Sequence, residues 1–186
     1  KNENDFYRGI FSIYEFNNAN SVSIWKRRRE IKLEKRQRLT LPNYKMIDER
    51  DRFVDILAFS FMPNHLHLIL KQLKNNGITQ FMKKVNGGYA KYFNEKYSRK
   101  GHLFNKFKAV HIEDDNQLRT VFNYIHCNPI SLVEPGWKER GINNPAEVLK
   151  FLQNYRWSSY QDYIGIKNFD DLKKKLLDFK KKYKTL

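Results

Sequence analysis

Cysteine is almost missing from this chain, and the gap excludes whole classes of protein. Cys127 is the only one, so no internal disulfide framework and no cysteine-based zinc module can form. A reducing, cytosolic setting follows as the expectation. Long apolar runs are missing too: charge or proline interrupts each one short of the roughly 20 residues that span a bilayer. No signal-peptide pattern is visible, although the chain opens on Lys1 and not on methionine. No internal repeat is evident. Acidic residues are scarce, 20 against 36 lysines and arginines, which leaves a formal charge of +16 on 186 residues. Such a chain repels itself at neutral pH and attracts a polyanion, with nucleic acid the usual one and an anionic membrane surface the competitor.

What remains is enough for a real core. Residues are 40% hydrophobic and 15% aromatic, which argues against disorder. The length suits one domain with an appended tail, drawn here as residues 1–165 followed by a basic amphipathic C-terminal helix over 166–186. In that tail Phe169, Leu172, Leu176, Phe179, Tyr183 and Leu186 recur at three- and four-residue steps among lysines. A basic insertion covers about 26–50. From Lys26 to Arg38 it holds eight lysines or arginines and two glutamates. Arg27, Arg28 and Arg29 are its candidate phosphate contacts; the alternative is a merely solvated, mobile stretch.

The pattern elsewhere predicts an α+β fold. Residues 6–16 are aromatic-rich and fit helix or strand equally. Asn17 to Asn20 mark a break. Phe53–Phe61 reads as a strand, turned by Met62–Asn64 into a second. Ile78, Phe81, Met82, Val85, Tyr89, Tyr92 and Phe93 keep helical period over about 78–97. Gly87 and Gly88 weaken that helix by roughly 1 kcal/mol each, so close packing is expected to compensate. Phe107–Ile112 is predicted to return as a strand. A further helix starts at Asp114 or Asp115, where Asp114 and Gln117 resemble a capping box. Leu118, Val121, Phe122 and Ile125 form its buried stripe, and Pro129 ends it near Asn128.

Two histidines one residue apart, His65 and His67, are the most informative feature. On a strand, side chains at i and i+2 share a face, so both imidazoles emerge together while Leu66, Leu68 and Leu70 line the other side. Two neutral imidazoles facing one way can hold a divalent metal. The bland alternative is an amphipathic strand whose wet face carries two histidines. On the later helix, Tyr124 and Asn128 are four apart and share a face. Tyr124 lies on the flank of the buried stripe, about 120° around from Leu118, so its ring can pack while its hydroxyl reaches a site.

The order of the blocks adds more than any one of them. MPNHLHLIL (62–70), FMKKVNGGYAKYFNEKY (81–97), GHLFNKFKA (101–109), YIHCNP (124–129) and YRWSSYQDY (155–163) together resemble the single-tyrosine HUH nucleases, closest to the REP-associated tyrosine transposases. The resemblance implies a ferredoxin-like HUH nuclease fold, a mainly antiparallel sheet with flanking helices. It implies His65 and His67 as metal ligands with Asn128 as a third, Mg²⁺ or Mn²⁺ as the metal, and Tyr124 as the nucleophile. The implied reaction is cleavage and transfer of single-stranded or hairpin DNA through a 5′-phosphotyrosine. The implied setting is cytoplasmic and bacterial nucleoid-associated, as monomer or homodimer, with no membrane partner. A free phenol, with a pKa near 10, is a poor nucleophile at neutral pH, so a neighbouring metal or cation must favour its anion as it forms.

Lys106 and Lys108, interleaved with Phe104 and Phe107, suit contacts to phosphates and stacked bases. His126 belongs to the YIHxNP pattern but points away from Tyr124, which suits a structural hydrogen bond. Trp157 to Tyr160 reads as packing or capping. The family opens with a strand bearing a YHxYNRG-like motif, and none precedes Phe6; either the chain starts after that strand or this copy lacks it. A DNA-binding relative without catalysis is the rival reading.

Overall fold

The turn expected at Pro63 closes a hairpin. Strand β1 (Val54–Phe61) and strand β2 (Leu66–Gln72) pair antiparallel, and the Met62 N–H donates to the His65 carbonyl at 2.8 Å. The computed structural model describes residues 2–40 and 48–165. Its other elements are helices α1 (Glu3–Glu15), α2 (Ile24–Thr40), α3 (Gly77–Lys96), α4 (Asp115–Cys127), α5 (Trp137–Arg140) and α6 (Pro145–Asn154). Two 3-10 turns complete it, at Asn128–Leu132 and Ser159–Tyr163. The architecture is α+β, a two-stranded antiparallel sheet with flanking helices. Among the described residues no helix is long and apolar enough to cross a membrane. The predicted C-terminal helix falls outside the described residues.

The chain forms two compact units. Of the described residues, one unit takes those up to Ile10, Ile56–Lys71 and those from Lys106 on; the other takes those of Phe11–Asp55 and Gln72–Asn105. The first has an apolar cluster of Ile130, Val148 and Leu152, with Cys127, Trp137, Phe151 and Tyr160 packed around it. Here Ser60 bridges to Ser158, and Phe61 N–H donates to the Trp157 carbonyl at 2.8 Å. Trp157 stacks on Phe6 with ring centroids 5.0 Å apart. The 155–163 block therefore packs and caps: the Ser158 side chain accepts from the Tyr160 N–H at the start of its 3-10 turn.

In the second unit, Phe81, Val85 and Tyr89 are the buried stripe of α3, the period seen in the sequence. Gly88 lies against the Phe16 ring, which an added Cβ would meet at 2.2 Å, whereas Gly87 has nothing within 4 Å. Close packing thus accounts for one of the two glycines. Gly77 is the more demanding position, since a Cβ there would stand 2.5 Å from the Phe53 carbonyl oxygen, backbone that already accepts from the Leu73 N–H. Gly77→Ala is expected to destabilise the protein by roughly 2 kcal/mol, while Gly87→Ala stabilises by up to about 1 kcal/mol. Urea unfolding of the two variants beside the parent reads both signs.

Asn17 does more than break the chain. Its Oδ1 accepts from the N–H groups of Phe53 and Val54 at 3.0 and 3.1 Å, and its Nδ2 donates to the Val54 carbonyl at 2.8 Å. The undecided segment before it is helix α1, which buries Asp5, Arg8, Ser12 and Glu15. A polar stripe at helical spacing carries no hydrophobic signal, which is why the aromatic residues alone left the choice open. The 26–38 stretch falls within helix α2.

The strand predicted over Phe107–Ile112 does not form. These residues have no regular structure, and Phe107 to His111 are exposed, Val110 at 77%. An apolar-rich stretch becomes a strand only with a partner edge, and among the described residues the hairpin is the whole sheet.

Candidate active site

The sequence around β2 sets the first half of the site. His65 ends the turn and His67 is the second residue of the strand, so both project from one face, ring centroids 4.7 Å apart. That face is not simply wet. Two residues on, Ile69 is the most buried side chain of β2, while Leu66, Leu68 and Leu70 are only half-buried. The histidines therefore stand where a core-facing row reaches the surface.

Helix α4 supplies the other half. Asp114 caps it, accepting from the Gln117 N–H at 2.8 Å, and the Gln117 side chain accepts in return from the Glu113 N–H at 2.8 Å. This is the predicted capping box with its return bond one residue earlier. Phe122 and Ile125 are buried along its inner face, with Leu118 and Val121 half-buried. The helix ends at Cys127, but Asn128 keeps helical dihedrals (φ −57°, ψ −37°) and the chain runs on into the 3-10 turn, with Pro129 near its start. The boundary forced by the proline is thus a tightening of the helix, not a departure from it.

His126 anchors α4 from behind. It is buried, with Nδ1 3.1 Å from the Phe122 carbonyl and Nε2 2.8 Å from Ser159 Oγ. The same hydroxyl receives the Phe59 N–H at 2.9 Å, so one hydrogen-bond chain joins β1 to the helix. Desolvation pushes the His126 pKa down to about 4, with the Phe122 carbonyl opposing, so the ring is neutral at physiological pH.

The two halves meet. Tyr124 is 46% exposed, and its ring stands edge-on to His67 with centroids 5.3 Å apart at 77°. Asn128 is buried, and its amide Nδ2 lies against Nε2 of both imidazoles, 3.4 Å from His65 and closer to His67. His65 Nδ1 is 2.6 Å from Asn64 Oδ1. An amide oxygen only accepts, so Nδ1 carries the proton and Nε2 keeps its lone pair. Desolvation first, then the charges of His65 and Lys138, hold the His67 pKa down at about 4. A neutral His67 that accepts the Asn128 amide N–H does so through its Nε2 lone pair, so both Nε2 atoms face the same amide nitrogen. Asn64 read as a turn residue in the sequence; its role in fixing a tautomer shows only in the fold.

The family model described as Transposase IS200 like matches residues 16–128. The chain belongs to the IS200-like transposase family. No curated protein and no solved structure matches it. Family membership makes DNA the partner and transposition the class of function. The matched segment contains His65, His67, Tyr124 and Asn128, and it closes on the last of them.

The basic residues named from sequence lie on different elements. Lys106 and Lys108 are exposed on the irregular 105–113 segment. Arg28 and Arg29 are exposed on α2, with the Arg28 guanidinium 5.7 Å from the Phe11 ring centre. Arg27 is different: its Nε lies 3.2 and 3.1 Å from the two Glu15 oxygens, and its Nη1 lies 3.0 Å from Glu34 and 3.4 Å from Glu30. Burial raises the Glu15 carboxyl above its ordinary value, with Arg27 pulling the other way. One more cation near Tyr124 was not anticipated. Lys138 Nζ sits 4.4 Å from the Tyr124 ring centre.

Proposed function

We propose that this transposase cleaves and rejoins single-stranded or hairpin DNA through Tyr124, as a REP-associated tyrosine transposase of the single-tyrosine HUH type. The observation that carries the reading is the meeting of Tyr124 with His67 and of Asn128 with both imidazoles. Two segments far apart in the chain, the start of β2 and the end of α4, bring a phenol, two imidazoles and an amide to one place.

The donor set fits a divalent cation, Mg²⁺ or Mn²⁺. Asn128 Nδ2 already occupies the spot where two imidazole lone pairs converge, and such a convergence suits a positive charge. His65 and His67 would hold the ion through Nε2 and Asn128, its amide turned over, through the oxygen in place of Nδ2, and three ligands leave positions for phosphate oxygens. When bound, the ion compensates phosphate charge and polarises the phosphoryl group. A His67 kept neutral above about pH 4 retains the lone pair that ligation needs.

The chain's own step is a phosphodiester exchange. Tyr124 Oη attacks the phosphorus and forms an O–P bond while the P–O3′ bond breaks. The phenolic proton passes to solvent, and the departing 3′ oxygen takes one from solvent. A 5′-phosphotyrosine and a free 3′-hydroxyl result, and attack by another 3′-hydroxyl reverses the sequence and restores Tyr124. One phosphoester bond replaces another at each stage, so no external energy source is required. Lys106, Lys108, Arg28 and Arg29 are the proposed phosphate contacts. Arg27 is the weakest of the group, because three carboxylates already face its guanidinium. A cytoplasmic, nucleoid-associated setting goes with that substrate. The assembly that goes with this reading is a monomer or a homodimer.

The test is an SDS-resistant adduct on labelled hairpin single strands with Mg²⁺ or Mn²⁺. A shifted band that disappears with EDTA is the expected result. Tight, salt-sensitive binding without any band, metal present, would favour a non-catalytic DNA-binding relative.

A further inference from the structure

Lys138 lies beyond the segment that matches the family, on a short element built to hold it still. Helix α5 is four residues long and is bracketed by Gly136 and Gly141, both in the positive-φ region at 79° and 80°. Gly136 holds a φ of 79° that side chains with a Cβ rarely adopt, so the entry to the turn favours glycine. Trp137, one residue before the lysine, packs against the cluster of Ile130, Val148 and Leu152. The backbone at 138 is thus pinned from the core side, and the lysine side chain leaves on the other. Its ammonium lies 4.4 Å from the Tyr124 ring centre, well inside the range over which a cation is attracted to an aromatic face.

We infer that Lys138 is a positioning residue for strand transfer, clamping the Tyr124 ring against His67 so that the phenol oxygen is held in one direction. A half-exposed tyrosine on a helix surface otherwise samples several rotamers, and in-line attack requires one of them. His67 meets the ring at 5.3 Å and Lys138 at 4.4 Å, so the two contacts together leave the ring a single seat. A cation at that place also offsets the negative charge that a DNA phosphate brings to the nucleophile. The inference rests on Tyr124 being the nucleophile.

Two variants separate charge from shape. Lys138→Met keeps the length and loses the charge, while Lys138→Arg keeps a cation that also stacks on aromatic rings. At saturating DNA, the single-turnover rate of adduct formation is expected to fall about tenfold in Lys138→Met and to stay within about threefold in Lys138→Arg. Thermal midpoints should not move, since the side chain is exposed. In ¹³C-tyrosine-labelled protein, the Tyr124 ring resonance, identified by its loss in Tyr124→Phe, should shift in Lys138→Met and hold in Lys138→Arg. A parent-like adduct rate in Lys138→Met overturns the inference whatever the resonance does, as does an equal loss in both variants. If the parent protein makes no adduct, the nuclease reading fails instead, and the resonance alone then decides the clamp: unmoved, it sinks it.

Discussion

Tyr124→Phe is expected to lower covalent DNA adduct formation by at least about 10³-fold while leaving DNA affinity within roughly twofold. The substitution removes one oxygen and keeps the ring. The edge-on contact with His67 and the Lys138 ammonium over the ring both survive, because each needs only the aromatic face or edge. The oxygen belongs to a side chain 46% exposed, so its loss leaves no buried partner unsatisfied and the fold should hold. Single-turnover gel assays on one labelled hairpin, beside equilibrium binding at fixed salt, read the two quantities separately. An adduct that persists in the variant would assign the nucleophile elsewhere. Two other tyrosines of the same unit are poor substitutes. The Tyr155 hydroxyl donates to the Phe61 carbonyl at 2.8 Å, burial lifts its pKa to about 12, and the Tyr163 hydroxyl donates to the Leu57 carbonyl.

Acid should weaken the fold well before the carboxylates titrate. His126 has a folded pKa near 4 against an ordinary value of 6.5. Between those values the unfolded chain binds a proton at this position and the folded chain does not. Stability therefore rises with pH across the window, is complete above about 6.5, and is lost as pH falls toward 4. A shift of that size corresponds to roughly 3 kcal/mol. His67, depressed to about 4 by burial and its charged neighbours, acts in the same direction. Glu15 acts against both: a carboxyl raised by burial takes up its proton more readily in the folded chain. His126→Gln removes the titration while offering polar atoms to Ser159. Its stability should be lower at pH 7 but fall less between pH 6.5 and 4.5, as read by urea midpoints at several pH values. Equal slopes in parent and variant would show that His126 does not govern the acid limb.

These two predictions draw on features that differ in how openly the sequence displays them. The His65–His67 pair, the Asp114–Gln117 cap and the four-residue step from Tyr124 to Asn128 are local patterns, set by strand and helix periods, and each reappears in the fold. So does the role of His126, since a histidine facing away from the outer side of an amphipathic helix must find its partners inside. Other features depend on what arrives from far along the chain. Phe107–Ile112 is apolar enough for a strand but meets no edge among the described residues. Ile69 outranks the leucines of β2 because the core lies on the histidine side. Lys138 carries no periodic signal: its place over Tyr124 depends on Trp137 finding an apolar cluster and on two glycines bending the chain. Helix α1 hid its type behind a buried row of Asp5, Arg8, Ser12 and Glu15, residues whose spacing a hydrophobicity pattern does not register.

The Asn128 N–H donates to the carbonyl of Tyr124, so the amide and the phenol sit one above the other on a single turn of backbone. Inserting or deleting one residue between them would swing one about 100° away from the other. Across descendants of this chain, the site fixes how many residues separate Tyr124 from Asn128, while the core behind fixes what Ile125 and His126 can become. A copy of unaltered length there can regain activity by point substitution; a copy with a shifted frame of spacing has to rebuild the turn.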